Sequence, residues 1–239
     1  MSSVEAVVSR PTTALHLFGG PYVVCDGRRR EVPEGSKRLL AFVAMRRRRI
    51  ERRYAAGTLW PLGDDLRAAG NLRSALWRLR VAGIDVLIAD KWSLALDNAV
   101  TVDAHAVAEW ATRLIEGCPL PEDLRVAPSS VDALDLLPGV YDDWALLDRE
   151  RLRQRVMHAL EALSRLLIVE GRFGDAVEAA MLAVSAEPLR ESARRTLIEA
   201  HIAEGNLVEA RRSFEAFDEL IRQELRVAPS DELVGLVQP

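Results

Sequence analysis

The stretch Asp65–Gly83, DLRAAGNLRSALWRLRVAG, has the pattern of an amphipathic helix with one cationic face. Apolar side chains recur at the i, i+3, i+4 and i+7 spacing that places them on one side of a helix: Leu72, Ala75, Leu76 and Leu79. The opposite arc carries Arg67, Asn71, Arg73, Ser74, Trp77 and Arg78. Arginine and asparagine form paired hydrogen bonds with base edges, and serine binds phosphate or base. The stretch therefore predicts a DNA-recognition helix.

Gly70 leaves two positions open for the start of this helix. If the helix begins near Asp65, Gly70 lies inside it and costs about 1 kcal/mol relative to alanine. If Asn71 is the N-cap instead, Arg67 leaves the DNA-facing arc. Trp77 has three possible roles: contact with a thymine methyl group, stacking at a backbone sugar, or packing against a second domain. We favour packing.

Two further helices are predicted before this segment. The first contains KRLLAFVAM (37–45), whose apolar residues recur at helical spacing, and Ser36 is its expected N-cap. The second is IERRYAAGTLW (50–60), in which we expect Ile50, Tyr54 and Leu59 to face inward. Three consecutive short helices of this kind are typical of a helix-turn-helix module.

Short β-prone runs flank the three helices. Leu15–Phe18 and Tyr22–Cys25 come first, and Asp26-Gly27 is a strong hairpin signal. After the helices, DVLIADKWSLALD (85–97) alternates like a β-hairpin with Lys91 near its tip. The order of strands, three helices and a hairpin is that of a winged helix-turn-helix.

Positive charge is concentrated in the first half of the chain. Residues 1–100 contain 17 Lys and Arg against 10 Asp and Glu, a balance of +7, whereas residues 101–239 hold 15 against 26, a balance of −11. The sum is the net charge of −4. Such an asymmetry indicates a basic module that meets a polyanion, joined to an acidic module with another task.

The densest cationic stretch is RRRRIERR (46–53), six arginines in eight positions between the first two predicted helices. The N-terminus of the second helix attracts an anion through its dipole, so Arg52 and Arg53 are the expected phosphate contacts, joined by Arg49. The alternative is that the four consecutive arginines form only a solvated loop.

The second half predicts helices and contains an internal repeat. VEGRFGDAVEAAMLAVSAEP (169–188) aligns with AEGNLVEARRSFEAFDELIR (203–222) at an offset of 34 residues, the tetratricopeptide period. The aligned pairs are Gly171 and Gly205, Phe173 and Leu207, and Ala176 and Ala210. We expect Phe173 and Leu207 to fill the turns. A long helix from about Asp143 to Glu170 and the segment 104–116 are expected to pack against the repeats.

No catalytic, metal or cofactor motif is recognisable. Cys25 and Cys118 are isolated, the four histidines are scattered, and neither a phosphate-binding loop nor a GxSxG motif occurs. The adjacent carboxylates Asp142 and Asp143 are better explained as the start of the long helix, with Trp144 packed inward. We therefore expect a protein that is not an enzyme and that needs no cofactor.

The chain also lacks features that would send it to a membrane. No apolar run approaches the roughly 18 residues of a membrane span, and the N-terminus does not resemble a signal peptide. We expect a cytoplasmic protein with a flexible lead-in over residues 1–13.

Two motifs together resemble one family. LWPLGDDLRAAGNLRSALWRLR (59–80), with the strand LHLFGG (15–20), resembles the OmpR-like winged-helix domain of SARP-type bacterial transcriptional activators. LLPGVYDDWALLDRERLRQ (136–154) resembles the start of their bacterial transcriptional activator domain. The two motifs occur in the expected order, and the resemblance covers nearly the whole chain.

The resemblance implies a fold that is mainly α with a small β component. A winged helix-turn-helix at 14–103 would precede a tetratricopeptide-like helical superhelix at 104–239. It implies double-stranded DNA and RNA polymerase as partners, binding to promoter direct repeats, and a homodimer on DNA. The expected DNA contacts are Arg49, Arg52, Arg53, Arg67, Asn71, Arg73, Ser74, Arg78 and Lys91. The alternatives are a helical adaptor with a vestigial DNA-binding domain and a ligand-gated sensor.

Overall fold

The structure, a computed structural model, describes residues 13–126 and 135–238. The chain divides into two compact units, one formed by Met1–Ala106 with Asp135–Arg149 and the other by Val107–Leu134 with Glu150–Pro239. Except for Thr13, the lead-in predicted at 1–13 lies outside the described residues. The expectation of a mainly α fold with a small β component is confirmed.

Two small sheets belong to the first unit. Their strands are β1 (Thr13–His16), β2 (Tyr22–Cys25), β3 (Arg28–Glu31), β4 (Ile50–Glu51), β5 (Leu87–Ala89), β6 (Ser93–Leu96) and β7 (Val100–Val102). One sheet has the order β3-β2-β1-β7, with β1 and β7 parallel, and the other has the order β4-β6-β5. The predicted hairpin at Asp26-Gly27 joins β2 to β3, and the predicted wing hairpin is β5 and β6.

The described part of the chain contains α-helices of 7 to 27 residues in both units. They are α1 (Glu34–Arg46), α2 (Arg52–Leu59), α3 (Asp65–Val81), α4 (Asp103–Ile115), α5 (Asp143–Val169), α6 (Phe173–Ala186), α7 (Glu191–Glu204), α8 (Leu207–Glu224) and α9 (Asp231–Val237). The predicted long helix and the predicted helix at 104–116 are found as α5 and α4, within a residue or two.

Two helix starts differ from the sequence expectation. Helix α1 begins at Glu34, so Ser36 lies inside it, where its buried hydroxyl donates a hydrogen bond to the Ala75 carbonyl at 2.8 Å. Helix α2 begins at Arg52, because Ile50 is extended and pairs with Leu94 of the wing. In both cases a contact distant in sequence decides the local conformation.

The core of the first unit lies between the three helices and the wing. Leu39 and Phe42 of α1, Leu72 of α3 and Leu94 of β6 are fully or almost fully buried. Ile50 and Leu59 are buried as expected, whereas Tyr54 is half exposed and only borders the core, with its ring centroid 6.1 Å from that of Phe42. The apolar face of α3 is what attaches this helix to the unit.

Residues 135–149 also belong to the first unit, although they are distant from it in sequence. Trp144 is buried and meets the Phe42 ring edge-on, with 5.1 Å between ring centroids. Asp142 forms an ion pair with Arg38 of α1. Arg149 donates hydrogen bonds to the carbonyls of Leu136, Leu137 and Val140. The motif at the start of α5 therefore covers α1.

The second unit contains the predicted repeat. Gly171 and Gly205 end α5 and α7 with φ of 74° and 83°, and buried Ala176 and Ala210 allow close helix packing at equivalent positions. Ser164 of α5 donates to the Ala176 carbonyl at 2.8 Å, which joins α5 to α6. Of the two residues expected to fill the turns, Phe173 is partly buried, but Leu207 is 60% exposed.

Candidate nucleic-acid interface

Helix α3 begins before Gly70, which settles the two alternatives for its start. Asp64 is the N-cap, and its carboxylate accepts a hydrogen bond from the Arg67 amide at 2.8 Å. Gly70 and Asn71 both lie inside the helix, so Asn71 is not a cap. One continuous helix of 17 residues therefore carries every residue predicted for DNA recognition between 67 and 78.

The two faces of α3 are those expected from the spacing of its apolar residues. The fully buried positions are Ala68, Leu72, Ala75 and Leu79, and Leu76 lies at the margin. The exposed positions include Arg67, Arg73, Ser74, Trp77 and Arg78, whereas Asn71 is partly exposed. Trp77 is 65% exposed in this structure, and the three roles considered for it stay predictions.

Arg73 and Arg78, two of the three arginines on the predicted DNA-facing arc, differ in their surroundings. Arg78 donates a hydrogen bond to the Gly35 carbonyl of α1 at 3.3 Å, so its guanidinium leans toward the start of that helix. Within the described residues, Arg73 has neither a hydrogen-bond nor an ion-pair partner. The guanidinium of Arg73 is therefore free to bind an external acceptor.

Arg73 faces a groove of about 570 Å³ between α2, α3 and the wing. Small and apolar residues such as Ala56, Gly57 and Ala69 contribute to its lining. Its charged lining residues are Arg52, Arg53, Arg73, Lys91, Glu51 and Asp65, and Trp92 is also part of it. The groove thus brings together cations from three elements that are separate in sequence.

The start of α2 supplies two of these cations. Arg52 is held against the wing, because its amide donates to the Trp92 carbonyl at 2.8 Å and its guanidinium to the Asp90 carbonyl at 3.2 Å. Arg53 forms an exposed ion pair with Asp65 at 2.7 Å. Exposed pairs of this kind contribute at most about 1 kcal/mol, so a phosphate can replace the carboxylate at little cost.

Asp90 organises the tip of the wing. Its carboxylate accepts hydrogen bonds from the amides of Trp92 and Ser93, both at 2.7 Å, and from the Ser93 hydroxyl at 2.8 Å. Arg49 contacts the same carboxylate at 2.6 Å. The Ser93 hydroxyl, the two amides and the Arg49 charge lower the pKa of Asp90 from 3.8 to about 2. The tip is therefore held by a carboxylate that stays ionised.

The members of the arginine run have different environments. Arg46 points into the first unit, pairs with Asp148 at 2.6 Å and lies over the Phe42 ring at 4.8 Å. Arg48 is exposed, and Arg49 is bound at the wing as described above. The hypothesis that the four arginines form only a solvated loop is wrong for Arg46, whereas Arg49 is 59% exposed but has a defined partner at the wing.

Sequence reasoning did not identify Asp90 or Trp92 as parts of the interface. The signal for both was present in the hairpin turn DKWS (90–93), where an Asp comes two and three residues before amides that its side chain can bind. Whether the tryptophan of that turn is buried or exposed depends on how the hairpin packs, which its sequence does not show.

Metal-binding clusters and membrane-spanning helices are both absent from the described part of the chain. Across residues 13–126 and 135–238, no cluster of three or more His, Cys, Asp or Glu side chains is arranged to hold a metal ion. Within the same ranges, no helix has the length and apolar character needed to cross a membrane.

Comparisons with known proteins agree with this architecture. The profile of the bacterial transcriptional activator domain matches residues 95–238. The fold is similar to that of Mycobacterium tuberculosis EmbR in complex with a low-affinity phosphopeptide, with a TM-score of 0.71 at 18% sequence identity. That alignment covers 95% of this chain and 64% of the EmbR chain, so this chain spans less than two thirds of that protein. No curated protein matches the sequence significantly.

Proposed function

Because the chain belongs to the bacterial transcriptional activator domain family, as its resemblance to SARP-type activators led us to expect, we propose that it binds promoter DNA sequence-specifically and activates transcription. The observation that carries the proposal is the exposed cationic face of α3, which borders a groove lined by further cations from α2 and the wing. We propose that the protein has no catalytic activity.

We propose that α3 reads base edges in the major groove. An α-helix fits this groove, and arginine binds guanine O6 and N7 through two parallel hydrogen bonds. Arg73 has its guanidinium free for such a pair, and Ser74 lies beside it on the same exposed surface. Arg67, Asn71 and Arg78 complete the proposed reading face.

We propose that the cations around α3 hold the DNA backbone. Arg52, Arg53 and Lys91 line the groove next to Arg73, and Arg49 stands at the base of the wing tip. Each phosphate neutralised by such a side chain releases condensed counterions, so these residues supply affinity without sequence information.

Domain roles and partners follow from the family. We propose that residues 14–103 act as the DNA-binding domain and residues 104–239 as the activator domain. Recruitment of RNA polymerase, binding to direct repeats as a homodimer, and a cytoplasmic location are part of the same proposal. The helical repeats also suit a peptide-binding adaptor or a ligand-gated sensor, which the following experiment separates from it.

The test is a selection of bound genomic fragments followed by a salt titration on a duplex of the selected sequence. Wild-type protein should enrich a repeated sequence, and Arg73→Ala should weaken binding to it by about 1–3 kcal/mol because a base contact is lost. We expect Arg78→Ala to fall in the same range. Binding to unselected duplex should change much less.

Arg212→Ala is the matched control, since it also removes one positive charge, at an exposed position in the second unit. It should leave both affinities unchanged. If the wild-type chain enriches no sequence, the proposal fails and the adaptor hypothesis is favoured. A ligand that shifts the DNA affinity would instead identify a sensor.

A further inference from the structure

The wing tip presents a large apolar side chain to solvent. Trp92 is 73% exposed, and the Lys91 ammonium lies 4.8 Å from the centroid of its ring. An indole contributes much apolar surface, so leaving it in water forgoes the stabilisation that burial would provide. The exposed Trp92 indole is therefore a side chain that a bound partner could bury.

The backbone that carries Trp92 is fixed on both sides. Its amide donates to the Asp90 carboxylate at 2.7 Å, and its carbonyl accepts from the Arg52 amide at 2.8 Å. Arg49 and Ser93 hold the same carboxylate from two further directions. A ring on a preorganised tip loses little conformational freedom on binding, which favours insertion into a narrow site.

The position of Trp92 relative to α3 identifies what it would meet. Trp92 and Arg73 line the same groove, so the wing tip stands beside the helix proposed to occupy the major groove. The major groove of DNA is only about 12 Å wide, so α3 alone fills it. A protein element beside α3 therefore lies across the phosphate backbone, next to the adjoining minor groove.

The charges near the ring favour DNA over an apolar protein surface. Lys91, Arg49 and Arg52 surround the tip, which suits a ring that enters between two phosphate strands. Of the nearby carboxylates, Asp90 is engaged by Arg49, and Asp65 is paired with Arg53, whereas Glu51 lines the groove.

We propose that the indole of Trp92 inserts from the minor groove between two adjacent base pairs and kinks the duplex next to the α3 contact. Apolar side chains inserted in this way unstack one base step and bend DNA by about 20–90°. Pyrimidine–purine steps deform most easily, so the inserted step should be of that kind. This inference rests on the proposed DNA binding and adds a second, shape-dependent source of specificity to it.

The test uses the duplex obtained from the genomic selection, with 2-aminopurine substituted in turn at each adenine flanking the α3 contact. Wild-type protein should raise 2-aminopurine fluorescence at one step only, because unstacking removes its quenching. Energy transfer between dyes at the duplex ends should report a bend. Trp92→Ala should abolish both signals and weaken binding roughly tenfold, as expected for one lost stacking contact.

Lys91→Ala is the matched control on the same tip. It should reduce the slope of log affinity against log salt concentration by about 1, because one phosphate contact is lost. The fluorescence increase and the bend should remain. Trp92→Ala should show the opposite pattern, with an unchanged salt slope and an unchanged melting temperature, since the side chain is exposed.

The outcomes separate this inference from the proposed function. If Trp92→Ala binds the selected duplex with the bend and the fluorescence increase intact, the wedge is refuted and sequence-specific binding stands. Self-association without DNA that is lost in Trp92→Ala would also refute it, because the ring would then be a protein contact. Failure of the wild-type chain to bind any duplex overturns both.

Discussion

Arginines that are adjacent in sequence have separate tasks in this protein. Arg46 is mostly buried, with 19% of its side chain exposed, and its partner Asp148 is only 9% exposed. Arg49 reaches the wing, and Arg48 faces solvent. The run of positive charge is visible in the sequence, but the side of the chain on which each guanidinium lies depends on the end of α1 and the following turn.

We expect Arg46→Ala to reduce the free energy of unfolding by about 2 kcal/mol, because it removes both the ion pair with the largely buried Asp148 and the packing of the guanidinium over the Phe42 ring. Arg48→Ala, two residues away and exposed, should stay within about 0.5 kcal/mol of wild type. Urea denaturation followed by tryptophan fluorescence measures both changes. Equal stabilities for the two variants would contradict the assignment of Arg46 to the interior.

The wing is an element whose order depends on one carboxylate. Its alternating pattern predicts the hairpin, and β5 and β6 are found at that place. The turn between them is set by hydrogen bonds from Trp92 and Ser93 to Asp90, together with Arg49 from another part of the chain. The hairpin is thus a local feature of the sequence, whereas the rigidity of its tip is partly a tertiary one.

The lowered pKa of Asp90 predicts how the tip responds to acid. A carboxylate with a folded-state pKa of about 2 and an unfolded value of 3.8 stabilises the tip fully above 3.8 and loses this effect as the pH falls toward 2. Amide hydrogen exchange should therefore show Trp92 and Ser93 still protected at pH 4. Loss of protection with a midpoint near 3.8 would contradict the prediction.

Asp90→Ala provides the matching control at neutral pH. It should remove the protection of the Trp92 and Ser93 amides while leaving that of Asp97, whose amide donates to the Val86 carbonyl at 2.9 Å at the other end of the hairpin. A general loss of protection in the hairpin would show that Asp90 supports more than the tip.

The first unit is completed by a segment from the middle of the chain. Residues 135–149 follow α4 in sequence, yet Trp144 and Asp142 lie against α1. The sequence predicted that Trp144 packs inward, and its burial confirms this. It did not predict the surface against which Trp144 packs, because nothing local relates this residue to Phe42, about a hundred positions earlier.

Trp144→Ala should destabilise the first unit by about 3–5 kcal/mol, since it removes a large buried ring and leaves a cavity beside Phe42. Trp144→Phe should cost less than about 1.5 kcal/mol, because it keeps most of the volume. It also sacrifices no hydrogen bond, as the indole nitrogen has no partner among the described residues. Urea denaturation monitored by circular dichroism measures both. Similar losses in the two variants would exclude ring packing as the cause.

Spacing in the sequence sufficed to predict the helices, the wing hairpin, the two faces of α3 and the 34-residue repeat, because each is recorded either in residues a few positions apart or in the recurrence of one short pattern. The extended conformation of Ile50, the burial of Ser36, the inward turn of Arg46 and the exposure of Trp92 required the assembled unit. Periodicity specifies which side chains share a face. The surface against which that face packs is determined by contacts between segments that are distant in sequence. No local sequence pattern contains this information.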